Sequence, residues 1–177
     1  YYDNELLVLA AKQNGIAPEF FENTDEISNS IFGFASNLLD NIGLGNFTNN
    51  MLSGDTLFQM QSETIKKLAS EKSCIIVGRC SDYILRDNPN CVGIFLHASE
   101  EERIKRIANR MNISKEEARM KLVEADKKRA SYYNFYANKT WGDSKTYDLS
   151  INVSKLGIDG TLTFILDYLK LRFPDKF

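Results

Sequence analysis

Arginines stand in this chain where anion chemistry would need them. In Ser73-Cys74-Ile75-Ile76-Val77-Gly78-Arg79-Cys80 an apolar run ends abruptly in a glycine and an arginine. A guanidinium stays charged and presents a rigid fork of donors matched to phosphate or carboxylate. Gly78, lacking a side chain, lets a ligand approach the backbone beside it. A second group lies in Ser99-Glu100-Glu101-Glu102-Arg103-Ile104-Lys105-Arg106-Ile107-Ala108-Asn109-Arg110, where Arg103, Arg106 and Arg110 fall at i, i+3 and i+7 on one helical face. A third lies in Glu124-Ala125-Asp126-Lys127-Lys128-Arg129, where Asp126 and Arg129 are neighbours across one turn. Arg119, Asp126, Arg129 and Tyr133 then form a polar stripe opposite Val123 and Ala130. Two arginine-bearing faces flanking a strand end could clamp a transferring phosphoryl group, whose reaction depends on positioning and charge stabilisation. Salt-bridged, solvated helix surfaces give a similar pattern, and the alternative for Arg79 is an arginine leaving the core to pair with a surface acid.

The elements that must position these residues read as strands alternating with helices. A helix-like pattern opens the chain with Leu6, Leu7, Leu9 and Ala10, and a loop-rich, aromatic stretch with short helices over Phe20–Asn41 follows. Leu57, Met60, Thr64, Ile65 and Leu68 form one stripe of a helix over Asp55–Ser70. Buried strands are expected at Cys74–Val77 and Val92–Leu96, with a turn at Asp87-Asn88-Pro89-Asn90 between them. Ser99 and Ser114, each with glutamate three residues later, are capping boxes that open two helices, the second reaching about Tyr136. Tyr147–Val153 alternates as a strand, and a last helix over about Gly160–Arg172 turns Leu162, Ile165, Leu166 and Leu169 to the core. This order indicates an α/β domain with a parallel sheet. Ligands in such sheets sit outside the carboxyl ends of the strands, where Arg79 stands.

Bulk properties narrow the function. The chain has 177 residues, 43% hydrophobic and 26% charged, as a single globular domain would. No apolar run could span a membrane and no secretory signal pattern is visible, so a cytoplasmic protein is expected. Cys74, Cys80 and Cys91 lack metal-ligand spacing and read as free thiols; no metal ligand is assigned. The net charge of −2 hides a segregation: residues 1–55 carry eight acids against Lys12, while residues 103–145 carry twelve Lys/Arg against five Asp/Glu. Basic charge gathered in one segment of an acidic protein suits a compact polyanion such as a nucleotide better than nucleic acid. His97 and the pair Trp141 and Tyr147 read as packing residues.

The order of features resembles the cytidylate kinase-like family of P-loop nucleoside monophosphate kinases. The resemblance rests on Gly78-Arg79 after a strand, Phe95-Leu96-His97-Ala98-Ser99-Glu100-Glu101-Glu102-Arg103-Ile104-Lys105-Arg106, and Asp126-Lys127-Lys128-Arg129-Ala130-Ser131-Tyr132-Tyr133-Asn134-Phe135-Tyr136. Trp141-Gly142-Asp143-Ser144 and Tyr147-Asp148-Leu149 complete it. It implies a P-loop NTPase-type parallel sheet of about five strands flanked by helices, with an acceptor-binding insert over 12–55 and a lid over 103–146. The implied activity is transfer of the ATP γ-phosphoryl group to CMP or dCMP with Mg²⁺, and a homodimer is allowed for. By resemblance, Arg79 would hold the acceptor's phosphate, with Asp82 nearby and Asp3 acting near the metal or the acceptor. Arg103 and Arg106 would approach the ATP phosphates. Asp126 and Arg129, with Arg106, would serve the transferring group, and Ser154 and Lys155 would lie near the adenine in a loop ending at Gly157.

Several features depart from the family pattern. The third residue of its Gly-Arg-Asp is Cys80, and an arginine expected four residues before the lid aspartate is Leu122. An acceptor insert usually supplies arginine, but residues 12–55 offer Lys12 alone. No Gly-x-x-x-x-Gly-Lys-Ser/Thr occurs. The resemblance puts the second strand at Tyr1-Tyr2-Asp3, so roughly 25 further N-terminal residues with the first strand and phosphate loop are expected, or another segment in their place. A non-catalytic nucleotide-binding protein and a kinase for another small acceptor are the alternative readings.

Overall fold

The computed structural model describes residues 1–3, 6 and 54–176. They form a mixed α/β fold containing a parallel sheet flanked by helices, and the chain divides into two compact units, Tyr1–Cys91 and Val92–Phe177. The expected helices of the first 53 residues, apart from Leu6, and the 12–55 insert, apart from Gly54 and Asp55, lie outside the described residues.

In the first unit, helix α1 (Gly54–Glu71) starts with an acid, Asp55, near its positive end. Gln61, Thr64, Ile65 and Leu68 are its buried stripe. The chain then extends through Cys74–Val77, where Tyr2 and Ile76 form a parallel bridge: the Tyr2 N–H donates to the Ile75 carbonyl (2.8 Å) and the Val77 N–H to the Tyr2 carbonyl (2.9 Å). This segment is not the doubly buried strand expected. Ile75 and Val77, which share one face by the two-residue period of extended chain, are 68% and 43% exposed. Cys74 and Ile76 on the other face are half-buried. A short helix, α2 (Ser81–Ile84), follows, and the expected turn forms with the Asn90 N–H donating to Asn88 Oδ1 (3.0 Å).

The second unit is built on strands β1 (Ile94–His97) and β2 (Leu149–Asn152), paired in parallel with Ile94 opposite Leu149 and His97 opposite Asn152. Parallel neighbours require a long crossover. It is supplied by helices α3 (Glu100–Met111) and α4 (Lys115–Ala137) and a short 3-10 turn, Ser144–Thr146. Both capping serines act as expected, Ser99 Oγ accepting from the Glu102 N–H and Ser114 Oγ from the Glu117 N–H. Asn112, with φ 53°, ends α3, and Ile104, Ala118 and Leu122 form the buried seam of the α3–α4 hairpin, bordered by Ile107, Ala108 and Ile113.

The polar stripe expected on α4 holds only in part. Val123, next to the seam residue Leu122, faces away from α3 and is 60% exposed. Tyr133 turns inward because the carboxyl half of α4 meets an aromatic cluster. There Phe95 stacks on Tyr147 (5.0 Å) and meets the edge of Trp141 (5.5 Å), while Tyr133 lies 6.1 Å from Tyr147. Trp141 and Tyr147 are thus packing residues, and the exposed His97 stacks on Phe95 at 6.3 Å. Asp148 fastens the entry to the sheet, its Oδ2 accepting from the Gly93 N–H (2.8 Å) while its own N–H donates to the Gly93 carbonyl (2.9 Å).

Helix α5 (Val153–Arg172) starts earlier than expected. Asn152 Oδ1 caps it by accepting from the Ser154 N–H (3.1 Å), so the stretch read as a loop after Ser154 is a helical turn, interrupted at Gly157 (φ 68°). Leu162 and Leu166 are not core residues: they are 54% and 40% exposed, whereas Ile165 and Leu169 are half-buried. No helix among the described residues is long and apolar enough to cross a membrane.

Candidate functional site

In the first unit the parallel bridge sets the direction of two chain exits. Tyr2 and Ile76 run the same way, so Asp3, one residue past the bridge, and Gly78-Arg79 leave by the same carboxyl end. Gly78, Arg79 and Cys80 are all left-handed, with φ of 69°, 60° and 54°. Such geometry is natural for glycine and costs roughly 1–2 kcal/mol for other residues. It persists because the carbonyls of this turn are held. Gly78 accepts from the Ser81 N–H (3.1 Å) and Cys80 from the Ile84 N–H (2.9 Å). The Arg79 carbonyl accepts from Nε2 of Gln61 on α1 (3.3 Å). Among the described residues, a Cβ at Gly78 would meet nothing within 4 Å.

Cys80, where the resemblance led to an expected aspartate, points inward at 3% exposure. Burial, reinforced by the nearby Asp82 carboxylate, pushes its thiol up to about 12. Asp82 itself is half-buried in the first turn of α2.

In the second unit the α3–α4 hairpin brings three of the expected residues together. Arg103, one turn into α3 and so near the carboxyl end of β1, grips Asp126 of α4 with two parallel bonds, Nη1 to Oδ2 and Nη2 to Oδ1, both 2.7 Å. Arg129, one turn further along α4, donates to Asp126 Oδ1 at 3.3 Å. The Arg103 and Asp126 side chains are 32% and 26% exposed, so water still reaches the group. A guanidinium has five N–H donors, and Asp126 takes two from Arg103 and one from Arg129. The remaining donors are free of the carboxylate. Arg106 and Arg110 are exposed and make no ion pair among the described residues. The arrangement is a cationic surface pre-ordered by a single shared carboxylate, suited to several anionic oxygens at once.

Arg119 serves a different purpose from the one its stripe implied. It pairs with Glu100 in the first turn of α3, a second tie between the two helices. Ser154 Oγ accepts from the Ser99 N–H (2.8 Å) and so joins the starts of α5 and α3 at the carboxyl ends of β2 and β1. Lys155 beside it is exposed. Sequence reasoning passed over Gln61. Its signal was there, since it sits four residues before Ile65 on the buried stripe of α1, an unusual place for an amide.

Comparison with known proteins now decides the family. The model of the cytidylate kinase-like family matches residues 1–155. The chain belongs to the cytidylate kinase-like family. Among similar proteins, the cytidylate kinase of Thermococcus kodakarensis is 36% identical over 98 residues, covering 55% of this chain and 49% of that protein. The cytidylate kinase of Pyrococcus horikoshii is 34% identical over 98 residues, covering 55% and 50%. The chain thus spans about half the length of the curated relatives it matches. A crystal structure of an uncharacterized protein from Eubacterium ventriosum superposes with a TM-score of 0.64 at 26% identity, covering 96% of this chain and 95% of that one.

Proposed function

We propose that this family member transfers the γ-phosphoryl group of ATP to a nucleoside monophosphate, with CMP as the first acceptor. Family membership and the cytidylate kinase relatives support the reaction class. The observation that carries the reading for this chain is the Arg103–Asp126–Arg129 group, which gathers two guanidiniums from two helices, one turn of helix from Arg106, which makes no ion pair among the described residues.

In this reading Arg79 binds the acceptor's phosphate, with Asp3 and Asp82 orienting the acceptor. Arg103 and Arg106 hold the ATP phosphates, and Ser154 and Lys155 border the adenine. An oxygen of the acceptor's phosphate attacks the γ-phosphorus in line, the bond to the β-phosphate oxygen breaks, and ADP leaves. No side chain acts as nucleophile; the protein aligns the two phosphates, and Arg106 and Arg129 offset the charge on the transferring group while Asp126 orients Arg129.

The residues present fit Mg²⁺ if the nucleotide's phosphate oxygens supply most of its ligands. Among the described residues no three His, Cys, Asp or Glu side chains gather into a metal cage. Mg²⁺ typically needs only one or two carboxylates beside phosphate oxygens, and Asp3 would supply one. Its contribution when bound is neutralisation of phosphate charge.

The test is a coupled ADP-release assay on the full-length protein with ATP, Mg²⁺ and a panel of nucleoside monophosphates. Turnover highest on CMP is the expected result. Binding without turnover would identify a non-catalytic nucleotide-binding protein, and turnover confined to another small acceptor would overturn the CMP assignment.

A further inference from the structure

We infer that Gln61 is a positioning residue for the acceptor site, acting through the backbone of Arg79. The inference rests on the reading of Arg79 as the acceptor-phosphate ligand. Gln61 is 1% exposed on a helix stripe otherwise occupied by Thr64, Ile65 and Leu68. A buried amide in that place loses its contact with water and needs a compensating partner. One of its bonds runs from Nε2 to the carbonyl of Arg79, eighteen residues away in sequence. The backbone it grips is the most contorted of the described residues, three successive left-handed conformations from Gly78 to Cys80.

The carbonyls on either side are tied by local backbone bonds, to Ser81 and Ile84. The Arg79 carbonyl is instead tied to α1. This bond fixes the plane of the peptide between Arg79 and Cys80, and with it the direction in which the Arg79 side chain leaves the turn. Non-glycine residues hold such geometry only where their surroundings over-determine it, and such positions concentrate at ligand sites. Helix α1 therefore does more than pack: through Gln61 it aims the guanidinium that the acceptor meets.

The test compares Gln61→Met, which keeps length and apolar packing but removes the donor, with Arg79→Ala and the double variant. Steady-state kinetics on the full-length protein use CMP and ATP as the varied substrates. Gln61→Met should raise the KM for CMP about five- to tenfold, the scale of one lost buried hydrogen bond, and leave the KM for ATP within about twofold. In the Arg79→Ala background the same change should add nothing, because Gln61 acts through Arg79. An equal rise in both KM values, no rise in either, or full additivity in the double variant would overturn the inference. Unaltered CMP kinetics in Arg79→Ala would instead sink the reading of Arg79 itself. If Gln61→Met does not fold, the wild-type protein supplies the readout by NMR. The Gln61 side-chain amide signals should shift on adding CMP and stay in place on adding ATP, and unmoved signals in the presence of CMP would refute the coupling.

Discussion

Replacing Leu122 tests whether the hairpin that presents Arg103 and Asp126 is built as described. By the resemblance drawn from the sequence, an arginine is expected at this position, so Leu122→Arg restores the expected residue. The structure gives the opposite expectation for stability. Leu122 is 4% exposed and packs against Ile104 and Ala118, themselves 4% and 0% exposed, with Ile107, Ala108 and Ile113 around them. Truncating such a leucine to alanine costs about 2–5 kcal/mol through lost burial and the cavity left behind. An arginine loses the same contacts and must also extend its guanidinium to water or bury it, so a loss of about 3 kcal/mol or more is expected. The chain's single tryptophan, Trp141, lies in the same unit against Phe95 and reports unfolding by fluorescence. With a urea slope of about 1–3 kcal/mol/M, the Leu122→Ala midpoint should fall by about 1–3 M, Leu122→Arg at least as far, and Leu122→Met much less. A Leu122→Arg protein as stable as wild type would show that position 122 faces the ligand side of the hairpin and that the α3–α4 seam is wrongly assigned.

Other expectations follow from single contacts. Asp126→Asn removes the charge shared by Arg103 and Arg129 and should cost about 1 kcal/mol in urea unfolding, the pair being partly solvated. Its kcat/KM with ATP and CMP should fall more than about tenfold; unchanged activity would remove Asp126 from the proposed machinery. Gly142→Ala should lower stability by about 1–2 kcal/mol, read as a lower Tm. Gly142 has φ 80°, and the added Cβ would lie 3.2 Å from Phe95 Cζ. Cys80 should resist iodoacetamide at pH 8 while the half-buried Cys74 and Cys91 are alkylated, as peptide mass spectrometry would reveal. Its thiol is pushed from 9.0 up to about 12, so its contribution to stability is full below about pH 9 and is lost as pH rises towards 12. Equal labelling of all three thiols would contradict its burial.

The chemistry-bearing residues were legible where local rules govern them. Ser99 and Ser114 announce two helix starts because a capping serine needs nothing beyond its own turn. The Asp126–Arg129 neighbourhood follows from helical spacing alone. The Arg103–Asp126 grip did not follow, since it joins residues 23 apart through a hairpin whose register the seam of Ile104 and Leu122 decides. Tyr133 was misplaced because α4 is long enough to change partners along its length, and Val123 because the seam runs through its neighbour Leu122. Ile75 and Val77 looked like sheet interior because an apolar run specifies extended chain but not what covers each face. Gln61 belongs to no motif, and its importance becomes visible only when the carbonyl it meets is known.

The central claim is that this chain's arginines hold two phosphates in line so that one phosphoryl group passes between them. Its most direct test is ³¹P NMR of the full-length protein with ATP, Mg²⁺ and CMP. Matched growth of ADP and CDP signals is expected, abolished in Arg129→Ala. ATP converted to ADP and inorganic phosphate without CDP, or CDP formation undiminished in Arg129→Ala, would contradict it.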